Sequence, residues 1–377
     1  MTLDTILAAR ERLAALDCDW LETAILQPAE PFLDLAGEEL RARIFLTDDG
    51  AGRLMCLRPE FTIPAARHWL AHGGRPARLG CAGTVFRQRA GEVSEFRQAG
   101  IEAIGDEDAA KADARAISDA HALIGSLAPD ARLSTVLGDQ AIFDAVTRAL
   151  GLHEAWSRRL SRLFGDETRL AHALDGLRGH SASGEAPEVA LGAAHALPPR
   201  VATALADADD AATNALVEAV RAEIDAARMG AGARDADEIA ARLVAARTLA
   251  GQRLGEAEGE TLRAFLALDV ALPEVERAVR GLDLPDANGR LDAALDAHAR
   301  RLDALSAHGL DPASIRFRGA FGRSLDYYTG LVFEVRDGER VLAGGGRYDR
   351  LLSLLGAPEP VPAVGFVAWL DRLEERR

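Results

Sequence analysis

Residues 322–335, GRSLDYYTGLVFEV, and 343–351, AGGGRYDRL, contain all three tyrosines of a 377-residue chain: Tyr327, Tyr328 and Tyr348. Aromatic residues make up only 5% of the sequence, so phenols gathered beside arginine, carboxylate and glycine mark a candidate site. The apolar runs that follow the tyrosines and Arg340 read as β-strands. If the tyrosines lie within such a strand, Tyr327 and Tyr328 point to opposite faces, and at most one of them lines a pocket while the other packs. The glycines before Arg347 permit close backbone approach or a tight turn.

Strand character extends to the other end of the chain. Segment 41–59, RARIFLTDDGAGRLMCLRP, reads as a hairpin turning at Asp48, Asp49 and Gly50, and 66–73, ARHWLAHG, as a helix stopped by Gly73 and Gly74. Segments 77–88 and 94–105 form a second β pair joined by a short polar loop. An amphipathic helix over 107–127 and a strand over 131–139 follow, and a first helix is expected over about residues 3–16. From 139 to 310 Ala, Leu, Arg and Asp dominate, and strand signals vanish. Only short breaks such as LPPRV (197–201) and GAGARDAD (230–237) interrupt it. The expected class is α+β: an antiparallel sheet flanked by helices, built from 1–138 and 311–377, with 139–310 a mostly helical region including an inserted subdomain.

Composition narrows the function. An apolar fraction of 48% suits a globular protein with a sizeable core, and no run is long enough to span a bilayer. The opening residues mix acidic and basic side chains, unlike a signal peptide, so a cytoplasmic location is expected and no membrane partner. Cys18, Cys56 and Cys81 are odd in number and far apart, which favours reduced thiols over disulfides or metal ligands; neither metal nor cofactor is expected. With 44 basic against 59 acidic residues the net charge is -15, which opposes nucleic-acid binding; the arginines of WSRRLSRLF (156–164) read as a solvated helix face.

Four segments place polar groups inside apolar strands or beside glycine: LRPEFT (57–62), VFRQ with EFRQAGIE (85–88, 95–102), GRSLDYYTG (322–330) and GGGRYD (344–349). On one strand face Gln98 and Glu102 flank Gly100, which leaves room for a ligand. Arg58, Arg87, Arg347 and the carboxylates could equally satisfy one another as ion pairs, and Asp326 and Asp349 suit caps or pairing partners. Carboxylates, an amide, an arginine and phenols on one sheet face would also suit a small zwitterion.

In this order the segments resemble class II aminoacyl-tRNA synthetases, specifically histidyl-tRNA synthetase. LRPEFT is similar to that family's LRPEGT, FRQAGIE to FHQLGCE, GRSLDYYTGLVFEV to the RGLDYY…VFE histidine motif, and GGGRYDRLLSLLG with AVGFVAWLDRL to GGRYDGL…AVGFAMGLERL. The resemblance spans about residues 57–373. It implies that Glu60, Gln98, Glu102, Arg323, Tyr328 and Tyr348 bind histidine, with Glu60 and Gln98 on the ammonium and Glu102 or a tyrosine on the imidazole.

Departures from that family modify the expectation. Arg89 stands where a glutamate helps hold ATP, in a loop shorter than the synthetase's, and Trp369 replaces the glycine of GLERL. Arg87 and Arg372 match ATP-contacting arginines, so the four are vestigial nucleotide-site positions. Ala24 stands where a proline is usual in the first motif. The chain ends at Arg377, where a synthetase continues, so no anticodon-binding domain is expected. A kept histidine pocket on an altered catalytic core is similar to the regulatory subunits of ATP phosphoribosyltransferase, and LQPAEPFLDLAGEEL (26–40) resembles their first motif. That resemblance implies no catalytic residues and a homodimer within a hetero-oligomer. It also implies a short-form catalytic subunit as partner and L-histidine as effector. A histidine-activating enzyme without tRNA charging is the second reading.

Overall fold

The computed structural model describes residues 2–35, 37–89, 91, 93–152, 154–177, 218, 221–222, 254–285, 289–323 and 327–374. Local sequence sets the hairpins. The strands β1 (Asp19–Trp20), β2 (Leu26–Pro28), β3 (Leu46–Asp48) and β4 (Leu54–Leu57) come first. Between β3 and β4, Asp48 and Asp49 accept hydrogen bonds from the backbone N–H groups of Gly50, Ala51 and Arg53, and Gly50 and Gly52 adopt positive φ. This Asx geometry closes the hairpin that the DDGAG sequence announces. With β2 these strands make a small sheet ordered β2-β4-β3.

The main sheet has nine strands. To β1 it adds β5 (Ala77–Phe86), β6 (Glu95–Ile104), β7 (Leu133–Asp139), β8 (Asp269–Ala271), β9 (Ile315–Arg318), β10 (Leu331–Asp337), β11 (Arg340–Arg347) and β12 (Ala363–Trp369). Their order is β1-β5-β6-β12-β11-β10-β7-β9-β8. From β5 to β7 every pairing is antiparallel; β1 joins β5, and β9 joins β7, in parallel. The β7–β9 connection is long enough for such a crossover because it carries helices. Strand β8 lies in the stretch read as mostly helical and without strand signals, and its three residues are too few to display a period of two.

Helix 109–127 (Ala109–Leu127) starts at Asp108, whose side chain accepts the Lys111 N–H, and buries a stripe including Ala116, Ile117, Ala120, Leu123 and Ile124. It packs on β6, β10, β11 and β12. Two compact units result: Met1–Leu150, Ser161–Glu167 and Leu262–Arg377 form the first, and Gly151–Leu160 with Thr168–Thr261 the second. The sequence reading put 262–310 with the helical region, whereas these residues pack with the sheet. The breaks at 197–201 and 230–237 lie outside the described residues.

A buried chain of charges explains that attachment. Arg301, on the helix Arg290–Ala307, donates to Asp113 and to Asp139, both at 2.9 Å, and Arg347 donates to the other Asp113 oxygen at 2.6 and 2.9 Å. Asp139 also accepts the N–H groups of Ala141 and Ile142, capping the helix Gln140–Ala149. All four side chains are at most 7% exposed. A charge is tolerated there only because each is paired and hydrogen-bonded. Arg347 and Asp349 are therefore pairing groups: Asp349 accepts from Arg347 and from the Ala363 N–H, both at 2.9 Å.

Candidate functional site

Arg347 points towards helix 109–127, so its neighbours Gly346 and Gly344 on β11 present the other sheet face. That face borders a cavity of about 590 Å³. Directly paired residues share a face, which sets Glu102 beside Gly365, Gln98 beside Trp369, and Gly346 beside Gly365. The floor is backbone. An added Cβ would collide at Gly365 with the Glu102 carboxylate and at Gly344 with the Arg323 guanidinium, and would lie 2.7 Å from the Tyr328 ring at Gly346. The glycine run is thus a strand that lets side chains lie across it, and not a tight turn. Gly100 has a different role from the ligand room expected of it: its Cβ would strike the Phe366 carbonyl on the adjacent strand.

All six expected histidine-site residues line this cavity, as do Arg87 and Trp369. Glu60 precedes the helix Thr62–Ala71, and its carboxylate accepts the N–H groups of Thr62 at 2.5 Å and Ile63 at 3.0 Å. It is therefore partly committed to the helix start. Burial pushes its pKa up, opposed by those N–H groups and by Arg87. Glu102 accepts from Thr62 Oγ1 at 2.7 Å and from the Tyr348 hydroxyl. Burial outweighs both donors and drives Glu102 from the usual 4.5 to about 8, with Glu60 adding to the rise, so at neutral pH the carboxyl is mostly protonated.

The tyrosines depart from the strand expectation. Tyr327 and Tyr328 precede β10 in a turn, where alternation does not apply, and both line the cavity with Tyr348. Their rings pack as a cluster, Tyr327 at 5.4 Å from Tyr328 and 5.9 Å from Tyr348 between centroids. Burial raises the pKa of all three, Tyr328 to about 12. Asp326, in the same motif, lies outside the described residues. Arg323 donates to Glu334 at 2.8 Å, and Glu334 in turn accepts from Arg336 at 2.8 and 3.1 Å. Sequence reading named Tyr327 but, by strand alternation, allowed only one of the tyrosine pair into the pocket, and it missed Glu334; the single carboxylate inside the apolar run LVFEV was the available signal for Glu334.

Three groups bordering the cavity are left unsatisfied. Gln98 is fully buried, yet neither its amide oxygen nor its nitrogen finds a hydrogen-bond partner among the described residues. The same holds for Arg323 Nε and Trp369 Nε1. A buried polar group without a partner costs about 1–3 kcal/mol, so such a concentration points to a bound species.

The remaining nucleotide positions divide. Arg87 donates to the Pro59 carbonyl at 2.8 Å, and burial lowers it to about 10, still cationic at neutral pH. Arg89 stacks 3.9 Å over Phe96, and Arg372 donates to the Val341 carbonyl and lies 4.7 Å from the Trp369 ring centre; neither lines the cavity. Arg58 is held by Thr23 and the Thr84 carbonyl. Among the described residues no cluster of three or more His, Cys, Asp or Glu could hold a metal, and no helix is long and apolar enough to cross a membrane. The three cysteines are free; burial raises Cys56 to about 11.

Comparison with known proteins gives this geometry a family. A family model described as histidyl-tRNA synthetase matches residues 20–247 and 215–373. The ATP phosphoribosyltransferase regulatory subunit of Mesorhizobium japonicum is 46% identical over 368 residues, covering 97% of this chain and 95% of the relative. That of Allorhizobium ampelinum is 47% identical over 361 residues, covering 95% and 93%. Among solved structures, an ATP phosphoribosyltransferase regulatory subunit/histidyl-tRNA synthetase from Bacillus halodurans shares the fold with a TM-score of 0.66 at 21% identity, over 99% of this chain and 78% of that one. A histidyl-tRNA synthetase from Nostoc sp. PCC 7120 does so with a TM-score of 0.61 at 14% identity, over 99% and 70%. With the class II synthetase-like sheet and nearly full-length identity of this order, the chain belongs to the family of ATP phosphoribosyltransferase regulatory subunits.

Proposed function

We propose that this chain does no chemistry of its own and acts in the cytoplasm as the regulatory subunit of ATP phosphoribosyltransferase. As a homodimer within a hetero-oligomer it activates a short catalytic subunit, which joins ATP to phosphoribosyl pyrophosphate in the first step of histidine biosynthesis. Histidine is the feedback effector, and Glu60, Gln98, Glu102, Arg323, Tyr328 and Tyr348 form its sensor. The relatives' names support the regulatory role. The single observation that carries the effector reading is the buried Gln98 amide, unpartnered in a cavity that also offers carboxyl groups, a guanidinium and phenols. A histidine zwitterion supplies the complementary ammonium, carboxylate and imidazole.

Relay requires histidine to bind one arrangement of the complex better than another, and a coupling of about 1–3 kcal/mol is sufficient. The test is the rate of phosphoribosyl-ATP formation by the short catalytic subunit, with and without this chain, repeated with histidine. A rise on mixing, reversed by histidine, is expected; no effect of the chain refutes the regulatory role. Glu102→Ala and Tyr328→Ala should abolish histidine binding while the subunits still co-elute, and unchanged affinity in both refutes the sensor assignment.

Arg87, cationic on the cavity wall, favours a second reading, activation of histidine with ATP without tRNA charging. The Trp369 side chain at the position of a family glycine opposes it. Histidine-dependent pyrophosphate exchange by the chain alone would establish that activity.

A further inference from the structure

The unsatisfied groups around the cavity are unequal in kind. Gln98 Oε1 is the lone acceptor, whereas Gln98 Nε2, Arg323 Nε and Trp369 Nε1 are donors, and none has a hydrogen-bond partner among the described residues. A surplus of donors, one of them on a guanidinium, demands an anionic acceptor. Their placement groups them. Trp369 is the cross-strand partner of Gln98, and the Arg323 guanidinium lies 5.4 Å from the centre of the Trp369 ring. Glu334 holds one terminal nitrogen of Arg323 and leaves Nε over for another acceptor.

Trp369 itself is 7% exposed, although it lines the cavity. Its indole, on the sheet face opposite helix 109–127, is flanked by two guanidiniums, those of Arg323 and Arg372 at 5.4 and 4.7 Å. These cations fix the ring by cation–π attraction and orient a neutral donor without adding charge. An indole N–H is a donor only, so it can satisfy a carboxylate and cannot satisfy a cation.

Resting on the effector reading above, we propose that Trp369 is a specificity-determining residue of the cavity: with Arg323 it receives a free carboxylate through the indole N–H and selects an unmodified amino acid over carboxyl-blocked or carboxyl-reduced forms. The bulk of the ring fills the space beside that carboxylate. A carboxyl group that has become an ester, amide or alcohol loses the charge and one or both acceptor oxygens, leaving Arg323 Nε and Trp369 Nε1 unpaired.

The experiment is calorimetric titration of the full-length chain with histidine, histidine methyl ester and histidinol, repeated with Trp369→Phe, which keeps an aromatic ring and removes the N–H. Wild type should prefer histidine to both analogues by at least about tenfold, the scale of one or two lost charge-assisted hydrogen bonds. Trp369→Phe should weaken histidine about tenfold and leave both analogues within about threefold of their wild-type affinities. Equal wild-type affinity for histidine and its ester overturns the inference whether or not the variant folds. So does a folded Trp369→Phe variant that keeps the full preference. Wild type binding the ester and histidinol better than histidine overturns the carboxylate assignment but leaves the sensor reading standing; wild type binding none of the three overturns both.

Discussion

Replacing Glu102 by Gln should make the protein less sensitive to alkali, by an amount that can be worked from the site. Glu102 is 3% exposed, and its pKa rises from 4.5 to about 8 because burial penalises the charged form more than Thr62 and Tyr348 favour it. The native state therefore holds this proton more tightly than the unfolded chain does. The associated stability is fully present below about pH 4.5, is lost as pH rises from 4.5 to 8, and is level above. Linkage gives a loss of about 1 kcal/mol at pH 5.5 and about 4–5 kcal/mol at pH 8.5. Gln keeps the neutral acid's shape and one donor with one acceptor, but cannot ionise. The unfolding free energy of Glu102→Gln minus that of wild type should thus grow by about 3 kcal/mol between those pH values. Guanidinium unfolding followed by indole fluorescence in a Trp156→Phe background isolates the right unit, because Trp20, Trp69 and Trp369 share the sheet's unit and Trp156 does not. A difference that stays constant over this range refutes the assignment of Glu102 as the buried proton carrier.

Other perturbations test separate parts of the structure. Arg301→Met strips Asp139 of its Arg301 ion pair and leaves Asp113 with Arg347, and should cost about 3–5 kcal/mol in a thermal or denaturant melt; a loss under 1 kcal/mol would show the network to be loosely paired. Tyr348→Phe removes a donor to the Glu102 carboxylate, so the midpoint of the pH dependence just described should move further up; a downward shift contradicts the hydrogen bond's direction. Gly344→Ala puts a methyl group against the Arg323 guanidinium and should weaken histidine at least about tenfold in calorimetry, with an unchanged affinity showing that Arg323 lies elsewhere when ligand is bound.

Features fixed by neighbouring residues could be read from the chain, and those fixed across it could not. The DDGAG turn and the β5–β6 pair are local, so their hydrophobic alternation and turn chemistry sufficed. Strand β8 and the parallel partner β1 depend on distant pairing that leaves no mark in so few residues, whereas the strand character of SIRFRGAF at β9 is legible and only its parallel pairing with β7 is not. For the candidate site, polar residues inside apolar strands pointed to Gln98 and Glu102, and the tyrosine pair pointed to the cavity. The alternation argument then misplaced Tyr327, because the pair sits in a turn ahead of β10. Glu60 carries no sign in the sequence that its carboxylate will serve the first N–H groups of the next helix. Gly100 and Gly365 look alike on paper; one makes room for a strand's carbonyl and the other for a side chain.

The strand order also has a consequence in time. β6 and β7 are made early, but the strands that separate them, β12, β11 and β10, come from the last fifty residues of the chain. At a translation rate of about 5–20 residues per second, β7 leaves the ribosome roughly 10 to 45 s before β12. Through most of that interval one edge of β6 and both edges of β7 have no neighbour, because β9 and β10 are late as well, and Asp113 and Asp139 wait for Arg301 and Arg347. Until then an unpaired charge at the end of β7, on Asp139, opposes pairing of that open strand with another nascent chain. A nascent chain arrested before Leu331 should accordingly be cut by protease within both strands, and the completed chain in neither.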